Sequence, residues 1–214
     1  MFDLEQEPSW VRRTLRSSNI PLRYLGWSFE DLSPYKGAVM DEVANYSLRF
    51  RSGSILKAEG SPDCGKGLLL AGSPGSGKTA LASVVAQALV RSSRSLWEGV
   101  DRPVFFVTYP DYLLSLQRSF STEEGSLEKT ALGAGLLVLD DLGKEHKTAS
   151  GWSESVFDSL LRLRFDRGLP TLVTTNIPKS RFGIVYGEAM GSFVNECFTT
   201  LVVISPDGDR RLHG

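Results

Sequence analysis

The 214-residue sequence predicts an α/β fold, a parallel sheet with helices on both faces. Three features carry that expectation. Five short apolar runs, at 67–71, 104–109, 136–140, 171–175 and 201–205, have the length and hydrophobicity of strands buried on both sides. Segments with helical spacing separate most of them. The first run leads directly into the glycine-rich stretch Gly72-Ser73-Pro74-Gly75-Ser76-Gly77-Lys78-Thr79, which opens a helix-forming segment.

In chain order, residues 1–38 mix charge with Trp10, Trp27 and the turn formers Asn19-Ile20-Pro21 and Ser33-Pro34. Within them, 10–16 fits two helical turns with Arg12 and Arg16 on one face. Val39, Val43, Tyr46 and Phe50 fall at spacings of four, three and four, which predicts an amphipathic helix. Residues 52–66 are Ser, Gly, Pro and charge, a loop. Beyond the glycine-rich stretch, 79–91 is rich in Ala and Leu. Asp111 fits as the cap of a helix carrying Tyr112, Leu116 and Phe120. The polar stretch 121–135, with glycines near its edges, reads as a mobile connection. Segment 153–165 places Val156, Leu160 and Leu163 on one helical stripe.

Composition bounds the function. Lys and Arg number 24 against 25 Asp and Glu, so no global positive field draws nucleic acid and any such contact needs a local patch. With 41% hydrophobic and 23% charged residues, the chain reads as a soluble globular domain. No apolar run approaches the roughly 18 residues of a membrane span, and the acidic start lacks a leader pattern, so a cytoplasmic protein is expected. Cys64, Cys197, His146 and His213 lie far apart, which argues against a disulfide scaffold and a zinc finger.

Residues 72–79 fit the P-loop pattern G-x-x-x-x-G-K-[ST] in full. Glycines let the backbone curl until successive N–H groups face an anion, and the helix that follows presents its positive end to the same place. Lys78 then reaches the β- and γ-phosphates and the Thr79 hydroxyl binds Mg²⁺. Gly72 through Thr79 are therefore the candidate nucleotide-binding residues. A P-loop needs a carboxylate on a neighbouring strand. The run 136–139 supplies four apolar residues, then Asp140 as the Mg²⁺ ligand and Asp141 to polarise the attacking water. Asn176 ends the 171–175 run, placed to orient water or meet the γ-phosphate.

In this order the pieces resemble the AAA+ ATPases, and more narrowly the DnaC/IstB group of helicase loaders and transposition helper ATPases. The resemblance is carried by 19–24 and 27–30 ahead of the core, by 66–79, by 105–120, by the acidic strand end at 136–143 and by 169–178. It implies a five-stranded parallel sheet of order 5-1-4-3-2, ATP and Mg²⁺ as ligands, and work on a ring-shaped replicative helicase or on a transposase. It also divides the chain into a short extension, 1–18, and an ATPase domain, 19–214.

Departures sharpen the expectation. The group often carries Gly-Glu-Arg and then Ser-Arg, one arginine reaching the neighbouring subunit's ATP. Here the run Gly187-Glu188-Ala189-Met190-Gly191-Ser192-Phe193 holds no arginine. Such a finger is worth roughly 10³–10⁵ in rate, so copies assembled alone should turn over slowly or depend on a partner. Arg181 is the nearest substitute. Asp141 stands where many AAA+ proteins have Glu, one methylene longer. About ten residues follow the last apolar run, too few for a helical lid. Arg210 or Arg211 either touches phosphate or belongs to a solvated tail. Trp10, Arg12, Arg13 and Arg16 form either a partner-docking segment with an aromatic anchor or a helix packed on its own core.

Resemblance to loaders implies single-stranded DNA contacts along 105–120, where Phe105, Phe106, Tyr109, Tyr112, Arg118 and Phe120 stand. Stacking requires exposed rings, and of the adjacent Phe105 and Phe106 one should face the core. Arg162, Arg164 and Arg167 form a second basic cluster, for DNA or a subunit interface. Cys64 reads as a loop thiol and Cys197 as a helix-packing residue. The leading expectation is an ATPase that delivers a replicative hexameric helicase to single-stranded DNA, with self-association. The alternatives are an IstB-type helper recruiting a transposase, and a nucleotide-gated helicase-binding module with little turnover. A small-molecule kinase is disfavoured, since it needs an arginine-bearing lid.

Overall fold

A computed structural model describes residues 3–32, 38–92, 94–119, 127–145 and 151–203. The expectations attached to Phe120, His146, Arg210, Arg211, His213 and the missing lid fall outside those residues. Five strands, β1 (Gly67–Ala71), β2 (Val104–Thr108), β3 (Leu136–Leu142), β4 (Thr171–Thr175) and β5 (Phe198–Val202), form one parallel sheet. Its order, β2-β3-β4-β1-β5, is the expected one read from the opposite edge.

Alternation along the strands divides the interior into two cores. Leu68, Leu70, Val104, Phe106, Leu136, Val138, Leu172 and Leu201 face one side. There they meet α1 (Ser9–Ser17), α2 (Ala38–Arg51) and α3 (Lys78–Ser92) through residues such as Leu15, Val43, Tyr46, Phe50, Leu81 and Val85. Leu69, Phe105, Val107, Leu137, Leu139 and Val173 face the other side. They pack on α4 (Tyr109–Ser119), α5 (Leu127–Gly133), α6 (Trp152–Asp166), α7 (Phe182–Tyr186) and α8 (Glu188–Cys197). Burial on both faces is why the strands read as continuous apolar runs. The spacing at 39, 43, 46 and 50 became α2, with Val43, Tyr46 and Phe50 fully buried.

Several local expectations are corrected. Helix α4 starts at Tyr109, so Asp111 lies in its first turn; the Asp111 N–H donates to Thr108 Oγ1 (3.2 Å), making Thr108 the capping residue. The connection 121–135 contains α5, whose Ala131 is buried. Strand β5 begins at Phe198, earlier than the 201–205 run, because the β-branched Thr199 and Thr200 pair with β1 without adding an apolar signal. On α6 the buried stripe is Phe157, Leu160, Leu161 and Arg164, while Leu163 is exposed.

Arg164 therefore leaves the proposed basic cluster. Its guanidinium is fully buried and donates to Ala131 O (2.6 Å), Ala134 O (2.9 Å), Pro170 O (2.7 Å) and Thr171 Oγ1 (3.0 Å). It satisfies carbonyls at the C-terminal end of α5 and ties them to the start of β4. Burial lowers its pKa to about 9, still above neutrality, so it is charged at pH 7. Arg162 pairs with Asp158 (2.9 Å) and lies over the Phe193 ring. The described rings offered for DNA stacking are buried too: Phe105 and Phe106 face opposite cores, and Tyr109 and Tyr112 turn from α4 into the second core. Arg118 alone of the described residues in that group is exposed. Trp10 packs against the core beside the buried Val11 and Leu15 of α1, so it is not a free aromatic anchor.

Candidate nucleotide-binding site

Because all five strands run the same way, the P-loop, the acidic end of β3 and the end of β4 emerge at one edge of the sheet. The P-loop fits tightly there. A Cβ on Gly72 would sit 2.2 Å from Val203 O, and Gly75 and Gly77 take φ of +76° and +85°, open to glycine at little cost. Helix α3 begins at Lys78, so its first N–H groups face the loop rather than a preceding turn. The Lys78 ammonium, in a residue only 6% exposed, folds over the loop and donates to Gly72 O (3.0 Å), Ser73 O (2.8 Å) and Ser76 Oγ (3.3 Å).

Across the intervening strand β4, the Thr79 hydroxyl meets Asp140 Oδ1 (3.0 Å) and Oδ2 (3.2 Å). Thr174 on β4 completes the arrangement. Its buried hydroxyl donates to Asp140 Oδ1 (2.5 Å) and accepts from the Asp141 N–H (3.0 Å). Between Leu139 and Leu142 the β3–β4 register slips, and Asp141 adopts φ of +62°, a conformation that non-glycine residues seldom take. The bulge separates the two acids, leaving Asp140 4% exposed while Asp141 turns outward to pair with Lys144 (2.7 Å). Burial, more than any neighbour, raises the Asp140 pKa, Asp141 adds to the rise, and the Thr174 and Thr79 hydroxyls oppose it.

Gly75, Gly77, Lys78, Thr79, Asp140 and Asp141 line a cleft of about 360 Å³ with Asn176, Lys144, Leu32, Arg23, Tyr24 and Trp27. The last two rings meet edge to face at 5.2 Å, and Arg23 lies over Tyr24. The segment that carries them is clasped to α3 by the buried Gln87, which accepts from Gly26 N–H (2.7 Å) and donates to Tyr24 O (2.9 Å). A larger hollow of about 560 Å³, lined by Phe29, Met40, Leu48 and Leu89 among others, lies away from the acids.

The donor set fits a magnesium nucleotide. A hydroxyl and a carboxylate already in contact are hard oxygen ligands suited to Mg²⁺, and an anion would take the place of the carbonyls that hold Lys78. Tyr24 and Trp27 add aromatic surface to the cleft. All predicted site residues, Gly72 to Thr79, Asp140, Asp141 and Asn176, gather at this edge. Sequence reasoning missed Thr174, Lys144 and the lining role of Arg23, Tyr24 and Trp27. Thr174 stands on β4 two residues before Asn176, just past the strand's end. The run 187–193 forms Gly187 and the start of α8; Arg181, upstream, is exposed and is not among the cleft's lining residues. Among the described residues no helix is long and apolar enough to cross a membrane, and no cluster of three His, Cys, Asp or Glu forms a metal site.

No protein-family profile and no curated protein sequence matches the chain. Solved structures do. The DnaC helicase loader is 24% identical over 86% of this chain and 99% of its own, with a TM-score of 0.65. DnaI is 23% identical over 93% of this chain and 100% of its own, at 0.66. DnaA from Aquifex aeolicus, bound to AMPPCP, is 13% identical over 86% of this chain and 51% of its own, at 0.56. With the strand order and the P-loop at its expected edge, these likenesses identify the fold as that of the AAA+ P-loop NTPases.

Proposed function

We propose that this protein is an ATP-binding helicase loader that delivers or regulates a replicative hexameric helicase on single-stranded DNA. One observation carries the reading: Lys78, Thr79, Asp140, Asp141 and Asn176 share a single cleft, in a fold matched across nearly the full length of a helicase loader and of DnaI. The P-loop amides and Lys78 hold the phosphates; Thr79 and Asp140 hold Mg²⁺; Asp141 polarises water; Asn176 orients it or touches the γ-phosphate; Tyr24 and Trp27 stack the base. Bound Mg²⁺ supplies the positive charge that neutralises phosphate and stabilises ionised Asp140. Without an arginine in 187–193, hydrolysis is slow until a partner contributes a cation.

The test is the mass in solution of the protein mixed with its host's hexameric helicase, with and without ATP–Mg²⁺. A defined complex that responds to ATP, and no longer responds in Lys78→Ala, is expected. No association in any nucleotide state would overturn the loader reading and turn attention to a transposase.

A further inference from the structure

The carboxylate proposed to polarise water is already engaged. Lys144 Nζ lies 2.7 Å from Asp141 Oδ1, and the Lys144 N–H donates to Asp141 O (3.2 Å), closing residues 141–144 into one turn. The back of that turn is anchored. The Gly143 N–H donates to Glu145 Oε2 (2.7 Å), and Glu145 Oε1 accepts from the Tyr186 hydroxyl (2.9 Å). A Cβ on Gly143 would come within 2.6 Å of Ile177 Cδ1, so the turn sits flush against the segment after β4. The backbone is thus held, while the Lys144 side chain, 42% exposed on a four-carbon stem, can swing.

Other cations lining the cleft have other places. Lys78 lies over the P-loop and Arg23 over the Tyr24 ring. Lys144 is the one beside the exposed acid at the end of β3. From this we infer that Lys144 distinguishes nucleoside triphosphate from diphosphate. The inference rests on reading the cleft as an ATP site. With diphosphate bound, the ammonium stays on Asp141 and neutralises it. A γ-phosphate, an anion of higher charge, draws the ammonium away, gains a charge-assisted contact and releases Asp141 to its water. One side chain thereby reads the γ-phosphate and keeps the water-polarising carboxylate idle until triphosphate arrives.

The experiment is calorimetric titration of the full chain, its Lys144→Met and its Lys144→Arg variants, with ATPγS–Mg²⁺ and with ADP–Mg²⁺. Wild type should favour the triphosphate. Lys144→Met should weaken ATPγS about tenfold, the scale of one hydrogen bond to a charged group, and leave ADP within about twofold. Lys144→Arg should retain the preference. Thermal unfolding without nucleotide should be nearly unchanged in Lys144→Met, since the pair is solvent-exposed. A Lys144→Met protein that keeps the wild-type ratio, or loses both ligands equally, overturns the inference. Equal affinities in wild type overturn it too, while leaving the ATP site intact. Failure of wild type to bind either nucleotide overturns the site itself.

Discussion

Thr174 is the hinge of the acidic site, and its replacement by valine isolates what one hydroxyl does. The side chain is fully buried, donates 2.5 Å to Asp140 Oδ1 and accepts the Asp141 N–H at 3.0 Å. Valine keeps the shape and loses both bonds. A hydrogen bond to an ionised acceptor is worth about 1.5–3 kcal/mol, and a half-buried N–H left unpaired costs about 1–3 kcal/mol. Burying a methyl in place of the hydroxyl returns about 1 kcal/mol. The net loss is about 1.5–5 kcal/mol, which in a domain of this size lowers Tm by about 3–20 °C. Thr174→Ser keeps the hydroxyl, gives up a methyl, and should lose about 1 kcal/mol. Calorimetric melting without nucleotide at pH 7 should therefore rank wild type, then Ser, then Val. A valine variant that melts at or above the serine variant would mean that the Thr174 hydroxyl does not hold the two acids in place.

Arg164→Met should lower Tm by about 10 °C or more, since it strands buried acceptors at Ala131, Ala134, Pro170 and Thr171, each worth about 1 kcal/mol; calorimetry reads this directly. Asp140→Asn should act in the opposite sense. The Asp140 carboxyl binds its proton more tightly folded than unfolded, so its contribution is favourable at low pH and is lost as pH rises past its raised folded value. At pH 7.5 the amide should melt higher than wild type by about 2–4 °C per kcal/mol relieved, and gain no stability from Mg²⁺–ATP; a lower melting point would contradict the burial argument. Trp27→Ala should weaken ATP about tenfold, the scale of one stacked base, and leave inorganic triphosphate unaffected in competition titrations.

Much of the fold was legible because a sheet buried on both faces writes its strands as apolar runs, and α2 and α3 followed from spacing and composition. The P-loop pattern and Asp140 stood out in the sequence because phosphate and metal chemistry restrict residue types at fixed spacing, and the fold places them at one end of the sheet. What escaped has physical reasons. After Phe198, strand β5 runs through two threonines whose pairing with β1 leaves no hydrophobic trace. Arg164 looked like a surface cation, because no local pattern announces that distant carbonyls surround it. The aromatic residues at 105, 106, 109 and 112 suggested stacking, yet strand alternation and the α4 stripe turn each one inward. Lys144 became visible only through the bulge at Asp140–Asp141, which sets Asp141 facing the turn that follows it.

A magnesium–nucleotide site around Lys78 and Asp140 can be read by melting the wild-type chain and Lys78→Ala across a series of ATP–Mg²⁺ concentrations. Wild type should gain stability logarithmically with ATP, about 2.7 kcal/mol at a hundredfold excess over Kd. Lys78→Ala, read against its own melting point without ligand, should gain little over the same range. A wild-type melting point indifferent to ATP–Mg²⁺, or an equal rise in both proteins, would contradict such a site.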